Sequence, residues 1–140
     1  MVVAIDTNVF REGLHPKGNP VVKRWLRALP FEESTTTVVN IAEVRAGAAK
    51  EPYGRKRVEL ETFIETSIVE RYGERILPFD LAATSVYAAD YGELARTGRP
   101  IGSMDLMIAA ICKVHGAALA TRNIKDFRGL GIHLINPWDN

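Results

Sequence analysis

Cysteine is nearly absent from this chain, and that alone bounds its chemistry. The one cysteine, Cys112, stands in an apolar run, so there is no disulfide framework and a reducing cytoplasm is the expected compartment. The three histidines, His15, His115 and His133, share no ligand spacing, which together with the lone thiol argues against zinc. Long hydrophobic runs are also missing. None approaches the roughly 20 residues of a membrane span, so no membrane partner is expected. The opening MVVAIDTNVF carries neither a basic n-region nor a small-residue cleavage site, and no secretory signal is read there. A glycine-rich phosphate loop is lacking, and no Ser/His/Asp triad can be assembled.

What is present is ordinary in amount. The 140 residues are 46% hydrophobic and 25% charged, the size and mix of one soluble globular domain spanning residues 1–140. There is no internal repeat and no linker-like stretch. Lys and Arg number 18 against 17 acids, a net charge of +1. With four acids set aside as a site, 13 would face the 18 basic residues and the remainder would carry +5. An acidic centre in a mildly basic surface is compatible with acting on a polyanion.

Short apolar strands alternate with helical patterns. Val2 to Ile5 reads as a buried parallel strand, followed by the cap-and-turn residues Asp6, Thr7 and Asn8. Val9 to Leu14 reads as a short helix and Val21 to Leu29 as an amphipathic one. Thr35 to Val39 is strand-like and leads into a helix from about Asn40 to Lys50. Gly54 to Tyr72 forms a longer amphipathic helix. Ile76 to Phe79 reads as another strand and Leu81 to Arg96 as a helix. Met104 to His115 is apolar nearly all round, a central buried helix with Ser103 as its N-cap and Gly116 as its C-cap. Ala118 to Thr121 and His133 to Ile135 complete the strands. This alternation predicts a parallel α/β sandwich, with ligands at the carboxyl ends of the strands.

Four acids stand where chemistry would sit, each with a second reading. Asp6 follows the first strand and is either a site carboxylate or a helix N-cap. Glu43 shares a helix face with Ala46 and Gly47, whose bare surface leaves room for a phosphate to approach; alternatively it is solvated or paired with Arg45 or Lys50. Asp105 lies in the first turn of the apolar helix, where the helix terminus would keep it ionised, as a site residue or simply as a complement to the dipole. Asp126 follows Thr121 and Asn123, which could hold a neighbouring carboxylate, or it is ordinary turn chemistry.

Carboxylates gathered about 4 Å apart repel by about 4 kcal/mol at an effective dielectric near 20, and a divalent cation reverses that cost. All-oxygen ligands select a hard ion, magnesium or manganese. The chemistry that suits such a pocket is in-line attack of water on a phosphodiester. Gly54-Arg55-Lys56-Arg57 is either a phosphate contact or a solvated helix start, and Trp25 and Trp138 are read as packing residues. A phosphohydrolase with Asp6 as nucleophile would want a second acid at position 8, where Asn8 stands. A receiver-type signalling domain fails similarly. A scaffold that binds RNA or protein without cutting would gain nothing from four mutually repelling acids.

In order and wording these motifs resemble the PIN-domain ribonucleases, and within them the VapC and FitB-like toxins of type II toxin–antitoxin pairs. The resemblance runs through Asp6-Thr7-Asn8, Ala42-Glu43-Val44 with Gly47, the DLMIAA stretch from Asp105, Thr121-Arg122-Asn123 with Asp126-Phe127, and the closing Asn136-Pro137-Trp138. It implies a three-layer α/β/α sandwich with a central parallel sheet and magnesium- or manganese-dependent cleavage of RNA. It also implies a homodimer, and a cognate VapB/FitA-like antitoxin whose C-terminal segment would occupy the acidic cleft. Asp6, Glu43 and Asp105 match the family's acidic positions, with Asp6 and Asp105 as metal ligands. Asp126 lies where a fourth, more variable acid is found, and Asn8, Thr121 and Asn123 would support the site. Asn40 departs from the Ser or Thr that relatives often carry before the helix, and Asn caps comparably well.

Overall fold

The computed structural model describes residues 1–139. Four short strands form one sheet in the order β2-β1-β3-β4: β1 (Val3–Ile5), β2 (Ser34–Thr35), β3 (Ala118–Ala120) and β4 (Leu134–Ile135). Every pairing is parallel, with Val3 opposite Ser34 and Ala118, and Leu119 opposite Leu134. The two central strands, β1 and β3, are wholly apolar because both their faces are covered. Their two-residue period divides the interior. Ala4 and Leu119 face one core, shared with Ala109, Ala110, Ile111 and Phe127. Val3, Ile5, Ala118 and Ala120 face the other, with Val9, Phe10, Val22, Ile68 and Tyr72.

The helices between the strands supply those two layers. They are α1 (Thr7–Leu14), α2 (Pro20–Ala28), α3 (Val38–Lys50), α4 (Arg55–Phe63), α5 (Glu70–Tyr72), α6 (Leu81–Thr97), α7 (Ser103–His115) and α8 (Ile124–Phe127). Layers of helix above and below a central parallel sheet make an α/β/α sandwich. No helix among the described residues is long and apolar enough to cross a membrane. In α7, Leu106 and Ile108 to Cys112 are buried, while Met104 at its start is exposed. Burial pushes the Cys112 thiol up to about 12, so it behaves as a small apolar residue.

Several boundaries differ from the sequence reading for identifiable reasons. Ile76 to Phe79 is not a strand: Leu77 forms a single parallel bridge with Thr37. Its two bonds, Leu77 N–H to Thr36 O at 2.9 Å and Val38 N–H to Leu77 O at 3.0 Å, cannot propagate because the facing chain turns into α3 at Val38. The strand read over Thr35 to Val39 ends at Thr35. Thr37 Oγ1 accepts from the Asn40 N–H at 3.1 Å and caps α3, so Val38 and Val39 join the helix despite their β-branched side chains. Asn40 is therefore not the cap but a buried first-turn residue, whose Oδ1 accepts from Thr37 Oγ1 at 2.8 Å. The helix read over Gly54 to Tyr72 is α4 and α5 joined by a π-helical segment, Ile64–Val69. Gly102, not Ser103, holds the N-cap position of α7, without a side-chain bond, while Gly116 closes that helix at φ 63° as expected.

Candidate active site

Parallel strands end together, so the first residues beyond β1 and β3 meet at one edge of the sheet. The Asp6 N–H donates to the Ala120 carbonyl at 2.9 Å, which fixes the start of the loop beside the end of β3. Thr121, wholly buried, then donates from Oγ1 to Asp6 Oδ2 at 2.8 Å. The same hydroxyl accepts the Asn123 N–H at 3.1 Å, so its proton is directed at the carboxylate. Thr7 Oγ1 approaches the other oxygen, Oδ1, at 3.4 Å. Although Asp6 occupies the N-cap position of α1, its side chain makes no capping bond. The capping reading of Asp6 therefore fails, and the carboxylate is held across the sheet edge instead.

The cleft at this edge has a volume of about 260 Å³ and receives acids from three separate elements. Asp6 comes from the end of β1, Glu43 from the middle of α3 and Asp105 from the first turn of α7. Ile108, one turn below Asp105, and Phe127 supply apolar lining. Gly47 lies one turn beyond Glu43 on the same wall, and a Cβ built there would meet nothing within 4 Å. Glu43 takes neither Arg45, which pairs with Glu65 at 2.7 Å, nor Lys50 as an ion-pair partner among the described residues.

The acids feel one another. Partial burial raises the Glu43 carboxyl above its ordinary range, and the charges of Asp6 and then Asp105 raise it further. Asp105 is raised by partial burial first, then by Asp126, then by Asp6. The sequence reading expected the N-terminus of α7 to keep Asp105 ionised; here burial and neighbouring charge outweigh the helix dipole. Among the described residues, no three His, Cys, Asp or Glu side chains stand close enough together to hold an ion as they are. Two carboxylates, Asp6 and Asp105, with water completing the shell is the pattern magnesium adopts. The donor set fits a hard divalent cation, whose charge would relieve the repulsion that adds to burial in raising Glu43 and Asp105.

The remaining residues divide. Asn8 and Asn123 line the cleft, and Thr121 acts from beneath it through Asp6. Asp126 is exposed on α8, which turns Asn123 and Phe127 rather than Asp126 toward the cleft, and it reaches the site through its field on Asp105. Three further charged residues line the cleft, Arg11, Glu51 and Lys56, of which sequence reading missed Arg11 and Glu51 and offered Lys56 as a phosphate contact or solvated helix start. Glu51 and Lys56 pair with each other at 3.2 Å. Arg11 was legible in principle: α1 begins at Thr7, two residues earlier than read, and places Arg11 on the face of Asn8, three residues back.

Comparison with known proteins identifies the family. The PIN domain family model matches residues 3–131. The VapC ribonuclease Y4jK of Sinorhizobium fredii is 33% identical over 138 residues, which are 99% of each chain. Toxin FitB of Neisseria gonorrhoeae is 34% identical over 137 residues, 98% of this chain and 99% of FitB. The crystal structure of FitAcB from Neisseria gonorrhoeae superposes with a TM-score of 0.88 at 34% identity, covering 99% of this chain and 100% of that one. The parallel sheet between helical layers is thus the PIN-like fold, and the chain belongs to the PIN-domain family, with VapC and FitB toxins as relatives over nearly all of its length.

Proposed function

We propose that this protein is a magnesium- or manganese-dependent endoribonuclease, acting in the cytoplasm as the toxin of a type II toxin–antitoxin pair. One observation carries the reading: Asp6, Glu43 and Asp105 arrive from three elements in one small cleft whose crowding raises two of their pKa values. The names of its relatives, a VapC ribonuclease and a FitB toxin, support it. Asp6 and Asp105 would hold the ion. A bound divalent cation supplies charge neutralisation at the scissile phosphodiester and lowers the pKa of the attacking water.

The chain's own groups do the rest. Thr121 and Thr7 fix the Asp6 carboxylate, so its free lone pairs point in one direction without reorganisation. Glu43, with a pKa above the ordinary carboxylate value, is a stronger proton acceptor than a solvated glutamate and is placed to take the proton of the attacking water. Asp126 adds its negative charge to the field at Asp105 and would favour a cation held there. The empty space above Gly47 admits the sugar–phosphate backbone. A cognate VapB/FitA-like antitoxin would silence the enzyme by placing its C-terminal segment in the cleft, and the toxin would work as a homodimer.

The test is cleavage of mixed cellular RNA by purified protein freed of any co-purifying partner, with manganese, magnesium or EDTA. Metal-dependent cleavage that disappears in Asp6→Asn is the expected result. A folded protein that cuts nothing under any of these conditions would overturn the proposal.

A further inference from the structure

A second cavity, of about 590 Å³, opens from the acidic cleft. It shares Asn8 and Arg11 with that cleft and continues along His15, Lys17, Arg122 and Trp138. Its charge is opposite. Arg11, Lys17 and Arg122 have no ion-pair partner among the described residues. The single acid lining it, Glu12, accepts the Asn19 N–H at 2.8 Å and so braces the loop after α1. The run that the sequence offered as a phosphate contact is already committed. Arg55 pairs with Glu59, Lys56 with Glu51 and Arg57 with Glu61.

The backbone that carries Lys17 and the side chain of Arg122 are also held in place. Lys17 lies in a tight loop where its own N–H donates to His15 Nδ1 at 3.0 Å and Lys23 Nζ donates to the His15 carbonyl at 2.6 Å. Gly18 packs so closely on the Glu12 carbonyl that any side chain would collide with it. Across the groove, the Arg122 guanidinium stacks over the Trp138 ring at 5.0 Å. Arg122 directly follows Thr121, the residue that anchors Asp6.

We infer that this groove is the track for the single-stranded RNA backbone flanking the scissile phosphate, with Arg11, Lys17 and Arg122 as its phosphate contacts. The inference rests on the ribonuclease reading and adds where the strand lies. A polyanion led toward a carboxylate cluster needs fixed cations beside it, and this groove places three of them continuous with the cleft.

The experiment is fluorescence anisotropy of a labelled single-stranded RNA 20-mer in EDTA, titrated with wild type, with Lys17→Gln/Arg122→Gln, and with the charge-matched control Arg55→Gln/Arg96→Gln, whose arginines are exposed and locally paired. In a parallel arm the same proteins cut the RNA in manganese. Losing two single-strand phosphate contacts should weaken binding about tenfold and flatten the log–log salt dependence by about 1.4. The control should stay within twofold, and the groove variant should raise KM while leaving kcat unchanged. Cleavage with binding equal to wild type in the groove variant would overturn the track and leave the ribonuclease standing. Absence of cleavage from every protein, with the binding difference intact, would keep the track and sink the ribonuclease. A polyglutamate peptide that displaces the RNA from wild type, and binds the groove variant more weakly, would assign the groove to an acidic protein and overturn the inference.

Discussion

Asp6 and Thr121 stand 115 residues apart in the chain, yet a hydroxyl-to-carboxylate bond of 2.8 Å joins them. No local pattern announces that bond; the parallel pairing of β1 with β3 creates it. Thr121→Val removes the hydroxyl with little change of shape, and cleavage should fall about 10- to 100-fold while the protein stays folded. Activity matching wild type would make Thr121 structural only. The raised carboxyls make a second, opposite kind of prediction. Because folding lifts the pKa values of Glu43 and Asp105 above the ordinary 4.5 and 3.8, the folded state holds these protons more tightly than the unfolded chain. Their ionisation therefore opposes folding, and stability is lost as pH rises from those ordinary values through the raised ones. Glu43→Gln and Asp105→Asn should then raise the Tm of metal-free protein at pH 7, a gain that shrinks toward pH 4. An equal gain at both pH values would deny the electrostatic cause. Gly47 offers a third. A helical glycine costs about 0.5 to 1 kcal/mol relative to alanine, and its Cβ would meet no protein atom. Gly47→Ala should stabilise the fold by about that amount and slow cleavage, which chemical denaturation and RNA turnover measured on one preparation would separate.

At the scale of elements, α7 does two jobs: its first turn sets Asp105 at the cleft and its body fills a core. Ile111 is wholly buried there, so Ile111→Ala should cost about 2 to 5 kcal/mol in urea denaturation. A loss under 1 kcal/mol would contradict the packing described. This helix was legible because an apolar stretch of that length, closed by Gly116, carries its own period and stop. So were β1 and β3, whose uniform apolarity marks strands covered on both faces. What misled was β-branched content without attention to partners. Thr35 to Val39 has the side chains of a strand, but the Thr37 hydroxyl takes the Asn40 N–H and starts a helix. Ile76 to Phe79 is apolar as a strand would be, but the chain it faces turns into α3 at Val38 and leaves room for only one bridge. Starting α1 two residues late concealed Arg11, and with it the link between the two cavities. Three of the four acids reach the cleft, and each was picked out by standing after a strand or inside an apolar helix. Asp126 stands apart because the orientation of α8, set by tertiary packing, turns Asn123 inward in its place.

Across the whole molecule, the net charge of +1 conceals a division. Three acids gather in a cleft at the sheet edge, and three unpaired cations line the groove that opens from it. Neither is visible in composition, because the two nearly cancel. A sandwich of this kind keeps its core intact while loops and helix ends build the site, as expected when function is placed on a scaffold rather than within it. With Glu43 and Asp105 holding protons more tightly than usual, a divalent cation at the proposed site would have to compete with those protons, and its affinity should rise with pH. The most direct test of the account is the rate of RNA cleavage as a function of manganese concentration, measured side by side for wild type and Asp105→Asn. The account predicts no cleavage without metal, saturation in the wild type, and in the variant either no cleavage or a half-saturating concentration at least about tenfold higher. Cleavage that persists in EDTA, or a variant curve that overlies the wild type, would contradict it.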